Sequence, residues 1–217
     1  MIAVVDYCKG NLRSVERGLI AAGGDARITA DPAHIAAADA IVLPGVGSFA
    51  DAAETMWRTG QMQAIQKRLA AGVPFLGICL GMHLLFEEGV EGSDCADAHT
   101  ANAQGLAVLP GVVGALPRSD AAGNICKVPH VGWNSLEFDE ADACPLLAGI
   151  APGEFFYFTH SYVAPPTPYT RATTTHSIAF PSVVTYHDTA FGVQFHPEKS
   201  SDAGARLLQN FLKLGAL

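Results

Sequence analysis

Residues 74–88 limit the possible folds of this chain more than any other segment. Their apolar first part predicts a buried strand that runs directly into Cys79, and the spacing of the apolar residues beyond it predicts a helix to residue 88. Gly77 and Gly81 flank the cysteine, two residues away on either side. A Gly-x-Cys-x-Gly pattern between a strand and a helix predicts a sharp elbow, because a tight turn requires small neighbours.

The elbow has a chemical consequence for Cys79. A sulfur at the start of a helix lies near free backbone N–H groups and the positive end of the helix dipole, which favour a thiolate and an adjacent oxyanion. The alternative is a buried structural cysteine, because free cysteine is among the most buried residue types. The elbow taken alone leaves both interpretations open.

A candidate base follows a second apolar run, Gly192 to Phe195, near the carboxyl terminus. That run predicts a strand, and His196 and Glu198 come directly after it. In extended backbone, residues two apart point to the same side, so we expect the Glu198 carboxylate to reach the His196 imidazole across Pro197. A thiol nucleophile needs a base, and the base needs an orienting group. Beside the elbow, these residues favour catalysis over an ordinary surface turn.

Composition is typical of a globular enzyme. The 217 residues are 49% hydrophobic and 16% charged, which supplies enough apolar material for one large α/β domain or two small ones. The net charge of −8 argues against binding of nucleic acid. The 5 cysteines lack metal-ligand spacing, so no metal and no cofactor are expected. No export signal or apolar run of transmembrane length is visible, so we expect reduced thiols, a cytoplasmic location and no membrane association.

Alternating strand and helix patterns in the first half predict a mostly parallel sheet with helices on both faces. In such folds ligands bind at the carboxyl ends of the strands, and Cys79 lies at one such end. The expected strands are Ile2–Val5, Arg27–Thr29 and Ala40–Leu43, and the expected helices are Asn11–Ala22 and Asp51–Ala71, the latter broken near residues 59 and 60.

The pattern changes in the second half. Residues 89–104 are polar, alanine-rich and irregular, which predicts a surface excursion. A final helix is expected over Ala203–Leu214, with serine or aspartate at 200–202 available to cap it. With no internal repeat and no clear linker, residues 1–217 are predicted to form one domain. Short runs between these segments predict antiparallel strands added to the parallel sheet: Leu106–Leu109, Val112–Leu116, Asn134–Phe138, Glu154–Phe158, Arg171–Thr175, Val183–Tyr186 and Phe191–Phe195.

Motifs spread over almost the whole chain carry a family resemblance: they lie at 5–7, 10–15, 43–49, 77–82, 127–134, 157–162 and 194–200. With them the chain resembles the class I glutamine amidotransferases. The elbow and the His-Pro-Glu sequence are shared by that whole class. Pro-Gly-Val-Gly and Pro-His-Val-Gly-Trp-Asn are similar to one branch, the glutaminase subunits of imidazole glycerol phosphate synthase in histidine biosynthesis. The resemblance implies an α/β fold with a mostly parallel central sheet, flanking helices and added antiparallel strands.

The resemblance also implies a reaction, the hydrolysis of glutamine to glutamate and ammonia. Cys79 would attack the side-chain amide carbon and form a thioester. His196 would accept the thiol proton, pass it to the leaving nitrogen and then activate water, while Glu198 orients the imidazole.

An oxyanion hole is implied by the same resemblance. The N–H of Leu80, directly after the nucleophile, is one expected donor, and the second is expected from the loop that carries Val46 and Gly47. In the family this loop reorients a peptide, which the glycines beside Val46 would ease. Taken alone, Pro-Gly-Val-Gly is also consistent with an ordinary turn at the end of a strand.

Glutamine recognition is expected at a second group of residues. By resemblance, Glu91 would meet the α-amino group, and His160, Ser161 and Tyr162 would border the amino-acid end of the substrate. The family usually has Gln where this chain has His83; both side chains can form a hydrogen bond, although with different geometry. His83 is therefore included among the expected substrate contacts.

A partner is implied because ammonia in neutral water is mostly ammonium, which is not a nucleophile. In the family, ammonia passes to a (β/α)8-barrel cyclase that binds the glutaminase as a heterodimer and makes imidazole glycerol phosphate and AICAR. Trp133 has the large amphipathic side chain of an interface anchor, although a core position for it is equally consistent with the sequence. The expected interface residues are Asn11, His130, Trp133, Asn134 and Lys199.

Three other functions remain open from the sequence. A different class I amidotransferase, such as an anthranilate, aminodeoxychorismate or carbamoyl phosphate subunit, would share the catalytic residues but not Pro-His-Val-Gly-Trp-Asn. A freestanding cysteine hydrolase of γ-glutamyl compounds would turn over without a partner. A catalytically silent module would keep only the fold; the intact Cys79, His196 and Glu198 weigh against it, whereas His83 leaves it open.

Overall fold

A computed structural model describes residues 1–92 and 102–215 of the chain. Its helices are α1 (Leu12–Ala21), α2 (Pro32–Ala37), α3 (Phe49–Thr59), α4 (Gln61–Ala70), α5 (Leu80–His83) and α6 (Ser201–Leu214). Its strands are β1 (Ile2–Val5), β2 (Ala26–Thr29), β3 (Ala40–Gly45), β4 (Phe75–Cys79), β5 (Phe86–Gly89), β6 (Ala103–Gln104), β7 (Leu109–Ala115), β8 (His130–Ser135), β9 (Phe155–His160), β10 (Tyr162–Val163), β11 (Thr170–Thr175), β12 (Ala179–Tyr186) and β13 (Ala190–Val193).

A seven-stranded sheet in the order β11-β12-β13-β4-β3-β1-β2 forms the centre of the molecule. The five strands from β13 to β2 pair in parallel, whereas β11 and β12 pair antiparallel at one edge. The predicted parallel sheet with added antiparallel strands is therefore confirmed. The central strands β1, β3 and β4 are buried along their whole length, as expected for strands covered on both faces.

Helices cover both faces of this sheet. On one face, Val15 and Leu19 of α1 pack in the same apolar cluster as Leu207 and Phe211 of α6. On the other face, the apolar sides of α2, α3 and α4 belong to a second cluster with alternate residues of β1 and β3. Removal of such side chains from water contributes about 1.5–3 kcal/mol each, which holds the helices in place.

The segment after the elbow differs from the prediction. The helix expected to residue 88 ends at His83, and residues 86–89 form strand β5 instead. Leu84, Leu85 and Phe86 are buried one after another, which leaves no solvent face for an amphipathic helix. A Cβ on Gly89 would collide with the ring of Phe49, so this strand lies very close to α3.

Two smaller sheets account for the remaining strands, so not all of the predicted strands join the central sheet. One has the order β10-β7-β5-β6, and the other is the hairpin-like pair β8-β9. The strand predicted over residues 106–109 begins only at Leu109, because Ala107 adopts φ 54° and interrupts the extended run. In β8–β9, His130 lies opposite His160 and Trp133 opposite Tyr157.

Two expectations fall partly or wholly outside this description. The surface excursion predicted over 89–104 lies largely on residues 93–101, which are outside the described residues. That residues 1–217 form one domain stays a prediction. Within 1–92 and 102–215, no helix combines the length and the apolar character needed to cross a membrane.

Candidate active site

The carboxyl ends of three neighbouring parallel strands meet at one cavity. Strand β3 ends at Gly45, β4 ends at Cys79, and β13 leads into the segment that carries His196. The cavity has a volume of about 480 Å³ and is lined by Cys79, His196 and Glu198, among others. A cleft at the carboxyl edge of a parallel sheet is the usual position of a ligand site in α/β folds.

The predicted elbow is present at Cys79, whose backbone has φ 55° and ψ −108°. Few non-glycine residues adopt positive φ, and such backbone strain costs about 1–3 kcal/mol. The turn depends on the absence of side chains at its neighbours. A Cβ on Gly81 would collide with the carbonyl oxygen of Leu43, and a Cβ on Gly77 would collide with that of Gly81.

The two residues proposed from the His-Pro-Glu sequence are in contact. Nδ1 of His196 lies 2.9 Å from Oε1 of Glu198, and the Glu198 side chain is only 2% exposed. The backbone reason given for this contact was wrong, because Pro197–Lys199 form a 3₁₀ turn, not extended chain. The turn nevertheless brings the carboxylate back to the imidazole. Since a carboxylate only accepts, Nδ1 donates the hydrogen bond.

The other ring nitrogen of His196 faces the nucleophile. Nε2 is buried and accepts or donates no hydrogen bond of good geometry among the described residues, so it is free to exchange a proton with the adjacent Cys79. Burial lowers the pKa of His196, but the hydrogen bonds to Cys79 and Glu198 and the charges of these two groups outweigh it and raise the pKa to about 9. At neutral pH this favours the imidazolium form of His196.

The backbone around His196 is fixed by Ser200. The Ser200 hydroxyl donates to the carbonyl of His196 at 2.7 Å and accepts from the N–H of Tyr157 at 3.0 Å. The N–H of His196 in turn donates to the carbonyl of Tyr157 at 2.9 Å. Ser200 precedes α6 but its side chain does not cap that helix, which corrects the capping role suggested by its position.

The loop expected to complete the oxyanion hole is held by Tyr7. The N–H of Val46 donates to the Tyr7 hydroxyl at 3.0 Å, and this hydroxyl donates to the carbonyl of Val46 at 3.2 Å. In this conformation the Val46 N–H is therefore not available to an oxyanion. Gly47 follows with φ 98°, and both loop residues line the cavity together with Leu80, the first residue of α5.

All of the expected substrate contacts line the same cavity: His83, Glu91, His160, Ser161 and Tyr162. Burial raises the pKa of the Glu91 carboxyl, and the nearby Asp51 adds to the rise, while a backbone hydrogen bond at Phe49 opposes it. Nδ1 of His160 donates to the carbonyl of Tyr162 at 2.9 Å, which fixes the ring within the segment 160–162. The cavity thus has an acidic group near one wall and a rigid polar segment at another.

The expected interface residues divide into two groups. Asn11 and Lys199 are exposed and line the cavity mouth, and Trp133 is 51% exposed on strand β8. His130 is buried, and its contribution to a partner interface stays a prediction; its Nδ1 donates to His160 Nε2 at 3.0 Å and its Nε2 accepts from Asn134 at 3.3 Å. Burial lowers the pKa of His130 to about 4, with His176 contributing, so its ring is neutral.

An apolar surface patch lies beside the cavity mouth. Val131, Trp133 and Phe155 are all more than half exposed and project from one face of β8–β9. Tyr157 lies between them, directly opposite Trp133, and Lys199 Nζ lies 5.7 Å above its ring. The same face continues to Thr159, which lines the cavity. We refer to Val131, Trp133, Phe155 and Tyr157 as the hairpin patch.

Some residues of this site were missed by sequence reasoning. Tyr7 and Thr159 belonged to quoted motifs but received no role. Gln194 lies two residues before His196, so a strand pattern signals that both side chains share a face; its Nε2 lies 3.7 Å from the sulfur of Cys79. Within the described part of the chain, no group of three or more His, Cys, Asp or Glu side chains is arranged to hold a metal ion.

Comparison with known sequences identifies a family and close relatives. The family model described as "Glutamine amidotransferase class-I" matches residues 3–214. The HisH subunit of imidazole glycerol phosphate synthase from Caldanaerobacter subterraneus subsp. tengcongensis is 43% identical over 213 residues, 97% of each chain. The protein of the same name from Moorella thermoacetica is 44% identical over 215 residues, 98% of this chain and 94% of the relative.

Solved structures share the fold at lower sequence identity. A crystal structure described as a glutamine amidotransferase has a TM-score of 0.70 and 20% identity, and the match covers 100% of both chains. The glutaminase domain of Trypanosoma brucei CTPS, solved with bound acivicin, has a TM-score of 0.60 and 17% identity over 99% of this chain and 93% of that one. At these identities the likeness demonstrates the fold alone.

The elevated pKa of His196 is directly measurable. We expect the imidazole ring signals of His196 in an NMR titration to give a pKa of about 9, and Cys79→Ala to lower it, because the hydrogen bond and charge of the sulfur are removed. Cys144→Ala is the matched control, since Cys144 is also buried but lies outside the cavity. An unchanged titration in Cys79→Ala would contradict the assigned contact.

Proposed function

This chain belongs to the class I glutamine amidotransferase family, and we propose that it is the glutaminase subunit of an imidazole glycerol phosphate synthase. It would hydrolyse glutamine to glutamate and pass the ammonia to a cyclase subunit. The observation that carries this proposal is the meeting of a strained Cys79 with the His196–Glu198 pair in one cavity. The 41% to 44% identity to HisH subunits supports the choice of branch.

The chemistry divides into acylation and deacylation. The Cys79 thiolate attacks the side-chain amide carbon of glutamine, and the His196 imidazolium donates its Nε2 proton to the leaving nitrogen as the C–N bond breaks. The products of this half are ammonia and a γ-glutamyl thioester. Neutral His196 then takes a proton from water, which attacks the thioester and releases glutamate. Glu198 accepts from Nδ1 throughout and so keeps Nε2 directed at the reaction.

Binding of the substrate uses two groups of residues that line the cavity. The Glu91 carboxylate is half-buried there and offers a negative charge to the α-ammonium group of glutamine. The segment 160–162, with its ring and carbonyl fixed, borders the carboxylate end of the amino acid. A cavity of about 480 Å³ is ample for one amino acid and its bound water.

The position of Val46 supports regulation by the partner. Its N–H must turn away from the Tyr7 hydroxyl before it can stabilise the tetrahedral oxyanion beside the Leu80 N–H. Loss of one oxyanion donor typically costs 10²–10³ in kcat. We therefore infer that the isolated subunit is a poor glutaminase and that docking of the cyclase favours the rearranged loop.

The docking surface that we propose is the hairpin patch. Exposed aromatic side chains of this kind are the usual anchors of protein interfaces, and this patch adjoins the cavity in which ammonia forms. Asn11 and Lys199 lie at the same mouth and would supply polar contacts at the rim. His130 would contribute indirectly: it accepts a hydrogen bond from Asn134 and so helps to position that side chain at the interface. The partner is a (β/α)8-barrel cyclase that makes imidazole glycerol phosphate and AICAR, and a cytoplasmic location would keep Cys79 reduced.

The function is tested by measuring glutamate release from glutamine with the subunit alone and with a cyclase that carries its nucleotide ligand. We expect slow release alone, an increase of about 10²-fold or more in the complex, and none above background for Cys79→Ala. Cys79→Ala should still bind the cyclase, as measured by isothermal titration. Equal, substantial release with and without the cyclase would contradict partner gating and favour a freestanding hydrolase. No release in either case would favour the silent module.

The docking surface has its own test. Trp133→Ala should raise the Kd for the cyclase by about 30-fold or more, because loss of an aromatic anchor typically costs at least 2 kcal/mol. The matched control is Trp57→Phe, since Trp57 lies on helix α3 and its indole N–H bonds the carbonyl of Gln104, away from the patch. Unchanged affinity of the Trp133 variant would exclude the hairpin patch as the docking surface.

A further inference from the structure

Two buried polar side chains beside Cys79 have no part in the mechanism above. Nε2 of His83 lies 2.7 Å from Oε1 of Gln194, and Nε2 of Gln194 lies 3.7 Å from Sγ of Cys79. The three residues belong to different elements: His83 ends α5, Gln194 follows β13, and Cys79 ends β4. A buried hydrogen-bonded chain that ends on a nucleophilic sulfur changes the reactivity of that sulfur, because hydrogen bonds are stronger where water is excluded.

The donors and acceptors in this chain follow from the placement of the Gln194 carboxamide oxygen beside His83. Burial lowers the pKa of His83 to about 4, although its hydrogen bond to Gln194 opposes the effect, so the ring is neutral at pH 7. The carboxamide oxygen of Gln194 can only accept, and therefore His83 Nε2 carries the hydrogen and donates. The Gln194 NH₂ group is then directed at the sulfur. With the carboxamide rotated by half a turn, its oxygen would face the sulfur instead.

The orientation of the Gln194 carboxamide decides whether a donor or an acceptor faces the sulfur of Cys79. Within the described part of the chain, Sγ forms hydrogen bonds with the carbonyl oxygen of Thr159 at 3.9 Å and with the amide of Gln194 at 3.7 Å. A carbonyl can accept from a thiol but repels a thiolate, whereas an N–H group stabilises a thiolate. Gln194 is fully buried and its backbone N–H donates to the carbonyl of Ser182 at 3.0 Å, so the donor is held in place.

We propose that His83 is a positioning residue, which fixes the carboxamide of Gln194 so that Gln194 donates a hydrogen bond to the Cys79 thiolate. This inference rests on the proposed function and deepens it, because it names what prepares the nucleophile before glutamine binds. It also gives a physical meaning to the histidine at position 83. A glutamine there has an NH₂ group that can donate to Gln194 in the same way, whereas an apolar ring cannot.

Four single variants separate this role from simple packing. Gln194→Met keeps the length of the side chain but removes the donor to the sulfur. His83→Phe keeps an aromatic ring but removes the donor to Gln194, and His83→Gln restores a donor. Asn210→Leu is the matched control for loss of a buried carboxamide, because Asn210 donates to the carbonyls of Leu146 and Ala148 and does not line the cavity. Circular dichroism and thermal unfolding establish that each variant is folded.

The first readout is the pH profile of Cys79 alkylation by iodoacetamide in the free subunit, followed by mass spectrometry of the peptide that contains Cys79. We expect the profile to move to higher pH in Gln194→Met and in His83→Phe, because the thiolate loses a donor. It should stay in place in His83→Gln and in Asn210→Leu. This readout requires neither glutamine nor a partner, so it decides the inference even if the chain releases no glutamate.

The second readout is glutamate release in the complex with the cyclase. Gln194→Met should lower kcat about tenfold and leave KM within about twofold, because a hydrogen bond to a charged group contributes about 1.5 kcal/mol or more and this one does not contact the substrate. If the alkylation profile is the same in folded Gln194→Met, folded His83→Phe and the wild type, the inference is wrong. A shift in Gln194→Met together with an equal shift in His83→Gln and His83→Phe would also reject the positioning role of His83.

Discussion

The close contact between Gly81 and the backbone of Leu43 is the constraint on which the site depends. No side chain fits at position 81, because a Cβ would occupy the place of the Leu43 carbonyl oxygen. This contact lets α5 start immediately after β4 and sets the backbone of Cys79 at φ 55°. The backbone strain at Cys79 costs about 1–3 kcal/mol. Packing of β3 and β4, which are buried along their whole length, offsets that cost. The rigid sheet thus holds the sulfur above its carboxyl edge.

Polar side chains from neighbouring elements surround the sulfur of Cys79. His196 faces it with an imidazolium, and Gln194 faces it with an amide, while Glu198 stabilises the far side of the imidazole. The loop that carries Val46 differs, since the Tyr7 hydroxyl bonds both the N–H and the C=O of Val46. Charged and polar groups thus surround the sulfur, while the Val46 N–H is already bonded to Tyr7. This combination supports the proposed gating of glutamine hydrolysis by a partner.

The sequence was sufficient for the features that depend on local pattern. The elbow, the parallel sheet and the candidate residues Cys79, His196 and Glu198 follow from residue spacing and from small residues at fixed offsets. The helix expected to residue 88 was wrong, because helical spacing in a short apolar run does not distinguish a helix from a buried strand. Pairing of β5 with β6 and β7 decided between them.

Features that depend on strand order were beyond sequence reasoning. Gln194 reaches Cys79 only because β13 lies next to β4 in the sheet, although the two strands are far apart in the chain. The same holds for the contact of Tyr7 with Val46. The exposure of Trp133 and the burial of His130 are likewise set by pairing of β8 with β9, which places successive residues on opposite faces.

The most direct test of the account is to trap the covalent intermediate. The complex with the cyclase is mixed with isotope-labelled glutamine, quenched in acid within the first turnover, digested and analysed by mass spectrometry. The account predicts a γ-glutamyl group on the peptide that contains Cys79 and on no other cysteine peptide, and none in the Cys79→Ala variant. A γ-glutamyl group on a different residue, or glutamate release by Cys79→Ala at the wild-type rate, would contradict it.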